Sequence, residues 1–278
     1  MSSAIDHDKE FEFTREDFDY LRKIVTATTG IIADDDKYTM YYSRLARRVR
    51  KLGLKNFREY RAYLEANRDE EIIELVNSVT TNLTAFFREK HHFDFLADSI
   101  VPKLRARRRI RCWSAGCSTG EEPYSIAMTL AEAIPDIQRW DVEILATDID
   151  SNVLRKAASG IYEMSRVDGM DPHLLKRFFK RGAGRNEGYV KINPELSDMI
   201  RFEQLNLLHR WPISEPLDFI FCRNVVIYFD KPTKNKLVDR YADQLIDEGW
   251  LFMGHSESLF KSTERFKLLG KTIYQKVE

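Results

Sequence analysis

Hydrophobic residues recur at every third or fourth position through the first part of the chain. Polar and charged residues fill the positions between them, so each stretch would have one apolar face as a helix. Such stretches lie at residues 18–25, 41–49, 57–64 and 72–76. The pattern predicts four amphipathic helices that pack as a small all-α bundle, and we assign this N-terminal helical domain to residues 1–85.

The pattern changes near residue 110, where short apolar runs begin to alternate with longer stretches of helical periodicity. The runs lie at residues 110–113, 142–146, 219–221 and 251–253, with a last one at 272–276. This alternation is typical of a parallel, doubly wound sheet covered by helices. We therefore expect an α/β domain with a Rossmann-like fold over residues 110–278, joined to the bundle by a linker helix and a basic connector at residues 86–109.

The alternation is interrupted at residues 177–203. A glycine-rich stretch at 181–188 lies beside strand-like residues, which are Tyr189, Val190, Ile192, Ile200 and Phe202. Glycines next to β-prone runs are typical of a hairpin. We expect a small antiparallel β-subdomain here, inserted into the larger fold.

Composition narrows the class of protein. The 278 residues are 43% hydrophobic, and Lys plus Arg equal Asp plus Glu at 44 each, so no overall charge attracts a nucleic acid or an anionic membrane. No apolar run approaches the roughly 18 residues of a membrane span, and the first residues lack the features of a secretory signal. We expect a cytoplasmic, monomeric protein that does not insert into a membrane. The three cysteines are expected to be reduced thiols, and no metal site is expected.

Positive charge is concentrated in one predicted helix. Between residues 37 and 58 the chain has eight basic residues and no acidic one. At this spacing Arg44, Arg47, Arg48 and Lys51 share a helix face. A solvated face usually mixes both signs, so the absence of acids favours a docking surface for an acidic partner over a merely solvated face.

The strongest chemical signal lies at two predicted strand ends. Residues 111–125 have the pattern of an apolar strand, a glycine turn and an acidic helix start, and residues 144–150 form a second strand that ends in carboxylates. Glycines let backbone N–H groups approach a ligand, and an acid at the end of the next strand can accept hydrogen bonds from ribose hydroxyls. The spacing predicts a nucleotide-like ligand, although Gly116-x-x-x-Gly120 differs from the glycine pattern of dinucleotide-binding proteins.

Several blocks of sequence support a more specific interpretation. They lie at residues 82–88 (NLTAFFR), 114–125 (SAGCSTGEEPYS), 147–150, 160–162, 205–208, 221–229 (FCRNVVIYF) and 254–257 (GHSE). Together they closely resemble the CheR family of bacterial chemotaxis receptor methyltransferases, and the resemblance extends to the helical N-terminal part. It implies methyl esterification of glutamate side chains on the cytoplasmic helices of chemoreceptors. The methyl donor would be S-adenosylmethionine (SAM), and the product S-adenosylhomocysteine.

The resemblance implies roles for residues of the glycine turn and the next strand. Asp148 is expected to accept hydrogen bonds from the ribose hydroxyls of the cofactor. Glu122 is expected to pair with its ammonium group, and Glu121 is a weaker candidate. Ser114 and Ala115 would bring backbone groups close to the cofactor.

Other matched positions complete the expected site. Arg88 and Tyr228 are the expected catalytic residues, and Arg88 would also hold a carboxylate of substrate or cofactor with its planar fork. The further cofactor-binding positions are Asn82 and Thr84 on the connector, Asn206 and Leu207 beside the adenine, and Arg223 and Asn224 at the methyl-transfer end.

The inserted subdomain suggests a second receptor contact. Residues 181–188 match the Arg-Gly-x-Gly-x-x-x-Gly pattern of family members that recruit receptors through a short C-terminal tail peptide. Gly182, Gly184 and Gly188 are therefore expected at a site where the tail adds a strand to the small sheet. A tight hairpin without a partner is the alternative.

Two other functions stay open at this point. The basic helix and the basic segment 103–111 suggest an RNA methyltransferase, but aromatic residues are not interleaved with the charges, so nucleic acid is not the expected partner. A cofactor-sensing adaptor would bind SAM without transferring a methyl group. Arg88, Asn224 and Tyr228 are all present, which disfavours an inactive site.

Overall fold

The computed structural model describes residues 10–259 and 263–277. The chain divides into two compact units, with the division between Thr81 and Asn82. It falls shortly before residue 85, the predicted end of the helical domain. The physical reason is a local contact: the Asn82 amide donates to Asp150 Oδ2 at 2.8 Å, which ties the connector to the second unit.

The first unit is helical, as predicted. Its α-helices are α1 (Arg15–Thr29), α2 (Tyr38–Lys51), α3 (Phe57–Ala66) and α4 (Arg68–Val79). A capping box begins α1, where Thr14 and Asp17 exchange side-chain and backbone hydrogen bonds, and Gly30 ends it in the left-handed conformation. The apolar faces meet in a core that includes Phe18, Leu45 and Phe57. The periodicity therefore identified this fold from the sequence.

The second unit begins its regular structure with the expected linker helix. Its helical run consists of α5 (His91–Phe95), a π-helical turn at Leu96–Ile100 and α6 (Val101–Leu104). Beyond this run, the second unit has the α-helices α7 (Glu121–Ala133), α8 (Ser151–Ser159), α9 (Pro172–Phe178), α10 (Pro194–Ser197) and α11 (Lys231–Gln244).

The strands of this unit form a large sheet and a small one. In chain order they are β1 (Arg109–Ala115), β2 (Asp141–Asp148), β3 (Ile161–Glu163), β4 (Phe179–Arg181), β5 (Tyr189–Ile192), β6 (Ile200–Gln204), β7 (Leu217–Cys222), β8 (Leu245–Met253), β9 (Phe266–Gly270) and β10 (Ile273–Lys276). The large sheet has the order β6-β2-β1-β7-β8-β10-β9. The strands from β6 to β8 in this order are parallel, and β10 is antiparallel to both of its neighbours. The Rossmann-like prediction is confirmed.

The small antiparallel sheet exists, but it differs from the predicted insertion at residues 177–203. It consists of β3, β5 and β4 in that order, so it begins before residue 177. Ile200 and Phe202 do not belong to it, because they lie in β6, which pairs in parallel with β2. Phe202 packs instead beside Ala146 and Leu154. Alternating apolar residues look alike in an inserted hairpin and in an edge strand, so the pattern alone could not choose the partner strand.

The sequence pattern also missed β9. Only Phe266 in this strand is well buried, while Lys267, Leu268 and Leu269 are exposed. An edge strand that buries so little has no clear alternation to detect.

Within the described residues, no helix is long and apolar enough to cross a membrane.

Candidate functional site

The polar residues singled out from the sequence gather at the carboxyl edge of the large sheet. Strand register brings Ala115 beside Thr147, and Cys222 beside Met253, so β1, β2, β7 and β8 end together. The loops that follow them, at residues 116–120, 149–150, 223–230 and 254–259, therefore share one edge. Open α/β sheets bind their ligands at this edge.

The glycine turn after β1 brings its backbone close to β2. The N–H groups of Gly116 and Cys117 both donate to the Thr147 carbonyl at 2.8 Å. Gly120 has a φ of 96°, and a Cβ there would lie 2.8 Å from both Ala157 Cβ and Tyr162 Oη. Only glycine fits this left-handed, crowded position at the N-terminus of α7.

Asp148 lies buried at the end of β2. Its Oδ2 accepts from the Ser118 N–H at 2.8 Å, and its Oδ1 accepts from the Asp150 N–H at 3.0 Å. Burial raises the pKa of this carboxyl to about 6, against the lowering effect of the backbone donors around it. Each carboxylate oxygen can accept more than one hydrogen bond, so the group can still receive hydroxyl donors.

The neighbouring glutamates at the start of α7 have different surroundings. Glu122 Oε1 accepts from Ser114 Oγ at 2.7 Å, and Oε2 lies 3.7 Å from Arg223 Nε. Burial raises the Glu122 pKa, while Arg223 and Ser114 oppose the increase. Glu121 is fully buried, accepts from Thr119 Oγ1 at 2.6 Å and pairs with Arg166. Its carboxylate is thus engaged by structural partners, and Glu122 is the better placed of the two for a ligand.

Arg223 is a buried cation at the end of β7. Its Nη2 donates to the Arg88 carbonyl, and Nη2 and Nε lie 3.7 Å from oxygens of Glu89 and Glu122, respectively. The guanidinium also lies over the Phe93 ring, 5.5 Å from its centroid. Within residues 10–259 and 263–277, Arg223 Nε and Nη1 have no hydrogen-bond partner. Two buried donors therefore remain available to an acceptor.

The connector at residues 82–89 is held against these loops. Ser118 Oγ donates to the Asn82 carbonyl at 2.9 Å, and Arg166 donates to the Thr84 carbonyl at 2.7 Å. Arg88 is half-buried and donates to the Leu83 carbonyl at 3.0 Å. These contacts bring Asn82, Thr84 and Arg88 to the same edge as Asp148 and Glu122.

The loops after β6 and β7 supply the remaining predicted positions. The Leu205 N–H donates to the Asp148 carbonyl at 2.9 Å, which draws the segment with Asn206 and Leu207 toward the end of β2. Tyr228 is half-buried in a short 3₁₀ turn at Val226–Tyr228.

Two acids at this edge had no role in the sequence analysis. Glu89 accepts from the His255 backbone N–H at 3.2 Å and lies beside Arg223. Glu257 is buried and accepts three backbone N–H groups of the loops after β7 and β8. Glu257 belongs to the GHSE block and Glu89 directly follows Arg88, so their positions in or beside matched blocks were the signal available.

Glu89, His91 and His92 place metal-ligand atoms within 4.8 Å of one another. The Arg223 guanidinium lies 3.7 Å from Glu89 Oε2, so this carboxylate already has a positively charged partner. His92 Nε2 lies 2.9 Å from the Lys271 carbonyl, and burial lowers its pKa to about 4. A neutral, hydrogen-bonded histidine fits a structural role.

The predicted partner residues lie elsewhere. On α2, Arg44, Arg47, Arg48 and Lys51 line a groove of about 320 Å³ together with Glu74 and Ser78. The sequence of α2 alone suggested a face without acidic residues. In the folded unit acids do lie beside this face, because α4 supplies Glu71 and Glu74. Arg48 pairs with both of these acids, and Arg44 donates to the Val79 carbonyl at 2.9 Å.

Gly182, Gly184 and Gly188 lie in the turn between β4 and β5. A Cβ on Gly182 would lie 2.0 Å from the Asn186 carbonyl oxygen, while Gly184 and Gly188 have φ values of 60° and 84°. The geometry of the hairpin alone accounts for these glycines.

Comparison with known proteins now identifies the family. Residues 82–275 match the model described as CheR methyltransferase, SAM binding domain, and residues 16–80 match CheR methyltransferase, all-alpha domain. The chain belongs to the CheR methyltransferase family. The predicted family, the methyltransferase class and the SAM cofactor are confirmed.

Relatives of this CheR chain match it over nearly their whole length. The chain is 46% identical to chemotaxis protein methyltransferase 2 of Pseudomonas aeruginosa PAO1, over 98% of this chain and 97% of that protein. It is also 46% identical to the chemotaxis protein methyltransferases of Salmonella typhimurium LT2 and Escherichia coli K12. These matches cover 91% and 92% of this chain and 87% and 89% of the relatives. These relatives confirm the predicted function as a methyltransferase of chemotaxis.

The residues at the sheet edge fit SAM. The cofactor has an ammonium, a carboxylate and two ribose hydroxyls. The edge offers the buried carboxylate of Asp148, the partly buried carboxylate of Glu122 and the two Arg223 donor atoms without a hydrogen-bond partner in the described residues. The chemistry of these groups is complementary, since carboxylates accept from ammonium and hydroxyl groups and guanidinium donates to carboxylates.

Proposed function

We propose that this chain transfers the methyl group of SAM to glutamate carboxylates on the cytoplasmic helices of chemoreceptors, which gives methyl esters. The observation that carries the proposal is the near full-length similarity to relatives named chemotaxis protein methyltransferase. The proposed reaction takes place in the cytoplasm, where the chain acts as a monomer.

A carboxylate acceptor suits the groups present at the site. SAM supplies an activated methyl group when it is bound. A glutamate side chain, with an ordinary pKa near 4.3, is already ionised at neutral pH and needs no general base. The task of the protein is then to align the acceptor and exclude water, and alignment of this kind is worth roughly 7–11 kcal/mol in well-oriented reactions.

We assign the cofactor contacts as follows. Asp148 accepts from the ribose hydroxyls, and Glu122, held by Ser114, accepts from the ammonium group. The low exposure of both carboxylates supports this assignment, because charges removed from water gain most from a partner. The remaining proposed cofactor positions are Ala115 in the glycine turn, Asn206 and Leu207 beside the adenine, and Asn82 and Thr84 on the connector.

The methyl-transfer end is formed by Arg88, Arg223, Asn224 and Tyr228. The unpartnered Nε and Nη1 of Arg223 support a carboxylate at this position, from either the cofactor or the substrate. Arg88 and Tyr228 are the proposed catalytic residues, since the half-buried positions of both leave them accessible to a bound substrate.

Arg47 and Lys51 are the proposed receptor contacts on α2. In the described part of the chain neither has an acidic partner within ion-pair distance, whereas Arg44 and Arg48 are engaged within the helical unit. The free charges suit the acidic surface of a receptor helix bundle. Arg44 and Arg48 border the same groove and shape it.

Transfer of labelled methyl from SAM to receptor-containing membranes tests the proposal. Esterification predicts label that alkali releases as methanol, and a strong decrease with Arg88→Ala but not with Arg139→Ala, an exposed arginine away from the sheet edge. Label in an added RNA would indicate an RNA methyltransferase. Cofactor binding without label in receptors from several sources would indicate the adaptor.

We further propose that the β4–β5 hairpin binds an aromatic-containing receptor tail, with Gly182, Gly184 and Gly188 shaping the turn. Such a tether raises the local concentration of methylation sites without changing the catalytic site. Calorimetry with tail peptides should show heat of binding that disappears when the aromatic residues are replaced by alanine. No heat at high peptide concentration would contradict this proposal.

A further inference from the structure

Glu257 is a buried carboxylate on which three backbone donors converge. Its Oε2 accepts from the N–H groups of Asn224 at 2.6 Å and Gly254 at 2.7 Å. Its Oε1 accepts from the Ile227 N–H at 3.1 Å. The side chain is therefore a bridge between the loop after β7 and the loop after β8.

The segments joined by this bridge leave little room for adjustment. A Cβ on Gly254 would lie 2.5 Å from Asn224 Nδ2 and 2.8 Å from Glu257 Oε2. Asn224 itself has a φ of 59°, in the left-handed region that non-glycine residues seldom adopt. A conformation of this kind persists only where its surroundings hold it, and the two short hydrogen bonds to Glu257 Oε2 do so.

We propose that Glu257 is a positioning residue for methyl transfer, which fixes the loop at residues 223–228 and thereby the side chains of Arg223, Asn224 and Tyr228. The inference rests on the proposed function for the roles of those three residues. Glu257 acts through the loop and contacts neither reactant.

A carboxylate is required for this arrangement. It has only acceptor sites, so it can receive three N–H groups at once, and hydrogen bonds to a charged acceptor are about twice as strong as neutral ones. An amide of the same shape replaces one oxygen by an NH₂ group, which would face a backbone donor. In Glu257→Gln, the amide oxygen can keep the donors from Asn224 and Gly254, but Ile227 would lose its partner.

The test compares Glu257→Gln with the wild-type protein in three measurements. We expect kcat for methyl transfer to decrease ~100-fold, the effect of a displacement of about 1 Å at an active site. The Kd for SAM, measured by calorimetry, should change less than about threefold, because the bonds at Asn224 are kept. Amide hydrogen exchange should become faster at Ile227 and Tyr228.

Asp218→Asn is the matched control. Asp218 lies in β7, the strand that precedes the loop, but near its opposite end, and its buried carboxylate accepts from the Arg111 N–H at 2.8 Å. This variant removes a comparable buried charge away from the site. It should lower the melting temperature about as much as Glu257→Gln while leaving the kcat of the folded protein unchanged.

Two results would overturn the inference. One is a kcat for Glu257→Gln equal to that of the wild type or of Asp218→Asn after correction for the folded fraction. The other is unchanged amide exchange at Ile227 and Tyr228. If the wild-type protein methylates no receptor, the proposed function fails, and the exchange measurement still decides whether Glu257 holds the loop.

Discussion

At the scale of single residues, Glu121 and Glu122 show how adjacent identical side chains acquire different tasks. Glu121 is engaged by Thr119 and Arg166, whereas Glu122 lies between Ser114 and Arg223. The family resemblance implies the cofactor role for Glu122 rather than for Glu121. The structure adds the physical reason, which is that Glu121 is already occupied by its neighbours.

This difference gives a paired prediction. Glu122→Gln should weaken SAM binding by roughly 10- to 100-fold, because a charge-assisted contact worth about 1.5–3 kcal/mol is lost. Glu121→Gln should instead lower the free energy of unfolding by about 1–3 kcal/mol. Calorimetry and thermal unfolding of both variants measure the two effects. Equal loss of SAM affinity in both variants would contradict the assignment.

Asp148 predicts a pH dependence of cofactor affinity. Its pKa is raised by burial to about 6, so the carboxyl becomes protonated as the pH falls through that value. Donors from ribose favour the ionised form, so SAM should bind about tenfold more tightly at pH 7 than at pH 5. In the protein without ligand the sign is opposite, because a raised pKa adds stability at low pH that is lost as the pH rises toward 6.

Calorimetric titrations with SAM between pH 5 and pH 8 test this dependence. Asp148→Asn should bind SAM more weakly and with a much flatter pH profile. An unchanged slope in the variant would assign the titration to another group, such as Glu122, whose pKa is also raised by burial.

At the scale of elements, the start of α7 depends on one glycine. Gly120 has a φ of 96° and no room for a Cβ beside Ala157 and Tyr162. Gly120→Ala should lower the free energy of unfolding by roughly 2–4 kcal/mol, since it adds steric overlap to backbone strain. Gly169→Ala is the control, because Gly169 also has a positive φ, of 79°, but open space around it. It should cost only about 1 kcal/mol, and equal losses in chemical denaturation would show that steric overlap is absent.

The sequence predicted the helices with one buried face and the strands that are largely buried. The helices of the first unit followed from their apolar faces, and β1, β2, β7 and β8 from their buried runs. The sheet to which β6 belongs could not be predicted, because Ile200 and Phe202 alternate in the same way whichever strand they pair with. The contacts of Glu257 were equally hidden, since its donors Asn224 and Ile227 lie some thirty residues earlier in the chain.

At the scale of the whole molecule, zero net charge conceals local charge. Because α2 itself contains no acid, its sequence predicts one basic surface made of Arg44, Arg47, Arg48 and Lys51. The acids that divide this set come from α4, through tertiary packing. Arg48 shows the consequence, since it neutralises Glu71, whose side chain is 2% exposed.

Arg47 and Lys51 are not paired with the acids of α4, whereas Arg48 is, so substitutions of the two kinds of residue should have different effects. Arg47→Glu combined with Lys51→Glu should raise the KM for receptor substrate about tenfold, in a salt-dependent manner, and leave the Kd for SAM unchanged. Methylation assays at two salt concentrations measure this effect. A KM that stays the same would exclude this face as the receptor contact.

Arg48→Ala should act on stability instead. It leaves the buried Glu71 without its cation, which costs about 3–5 kcal/mol in comparable pairs. Denaturant unfolding of the full chain should show the loss. Tyr60 also donates to Glu71 Oε1, at 2.8 Å. A free energy of unfolding within about 1 kcal/mol of the wild-type value would mean that this hydrogen bond alone is enough to stabilise the buried Glu71 carboxylate.

The order of strands in the large sheet has a consequence for synthesis on the ribosome. β9 is made before β10, yet among the described strands it pairs only with β10, which lies between β8 and β9. Until β10 emerges, the edge of β8 and the edge of β9 that β10 will join have no pairing partner among the described strands. β9 also carries the exposed apolar side chains of Leu268 and Leu269. The newly made chain therefore passes through a stage with two unpaired strand edges, at which a chaperone would protect it from aggregation.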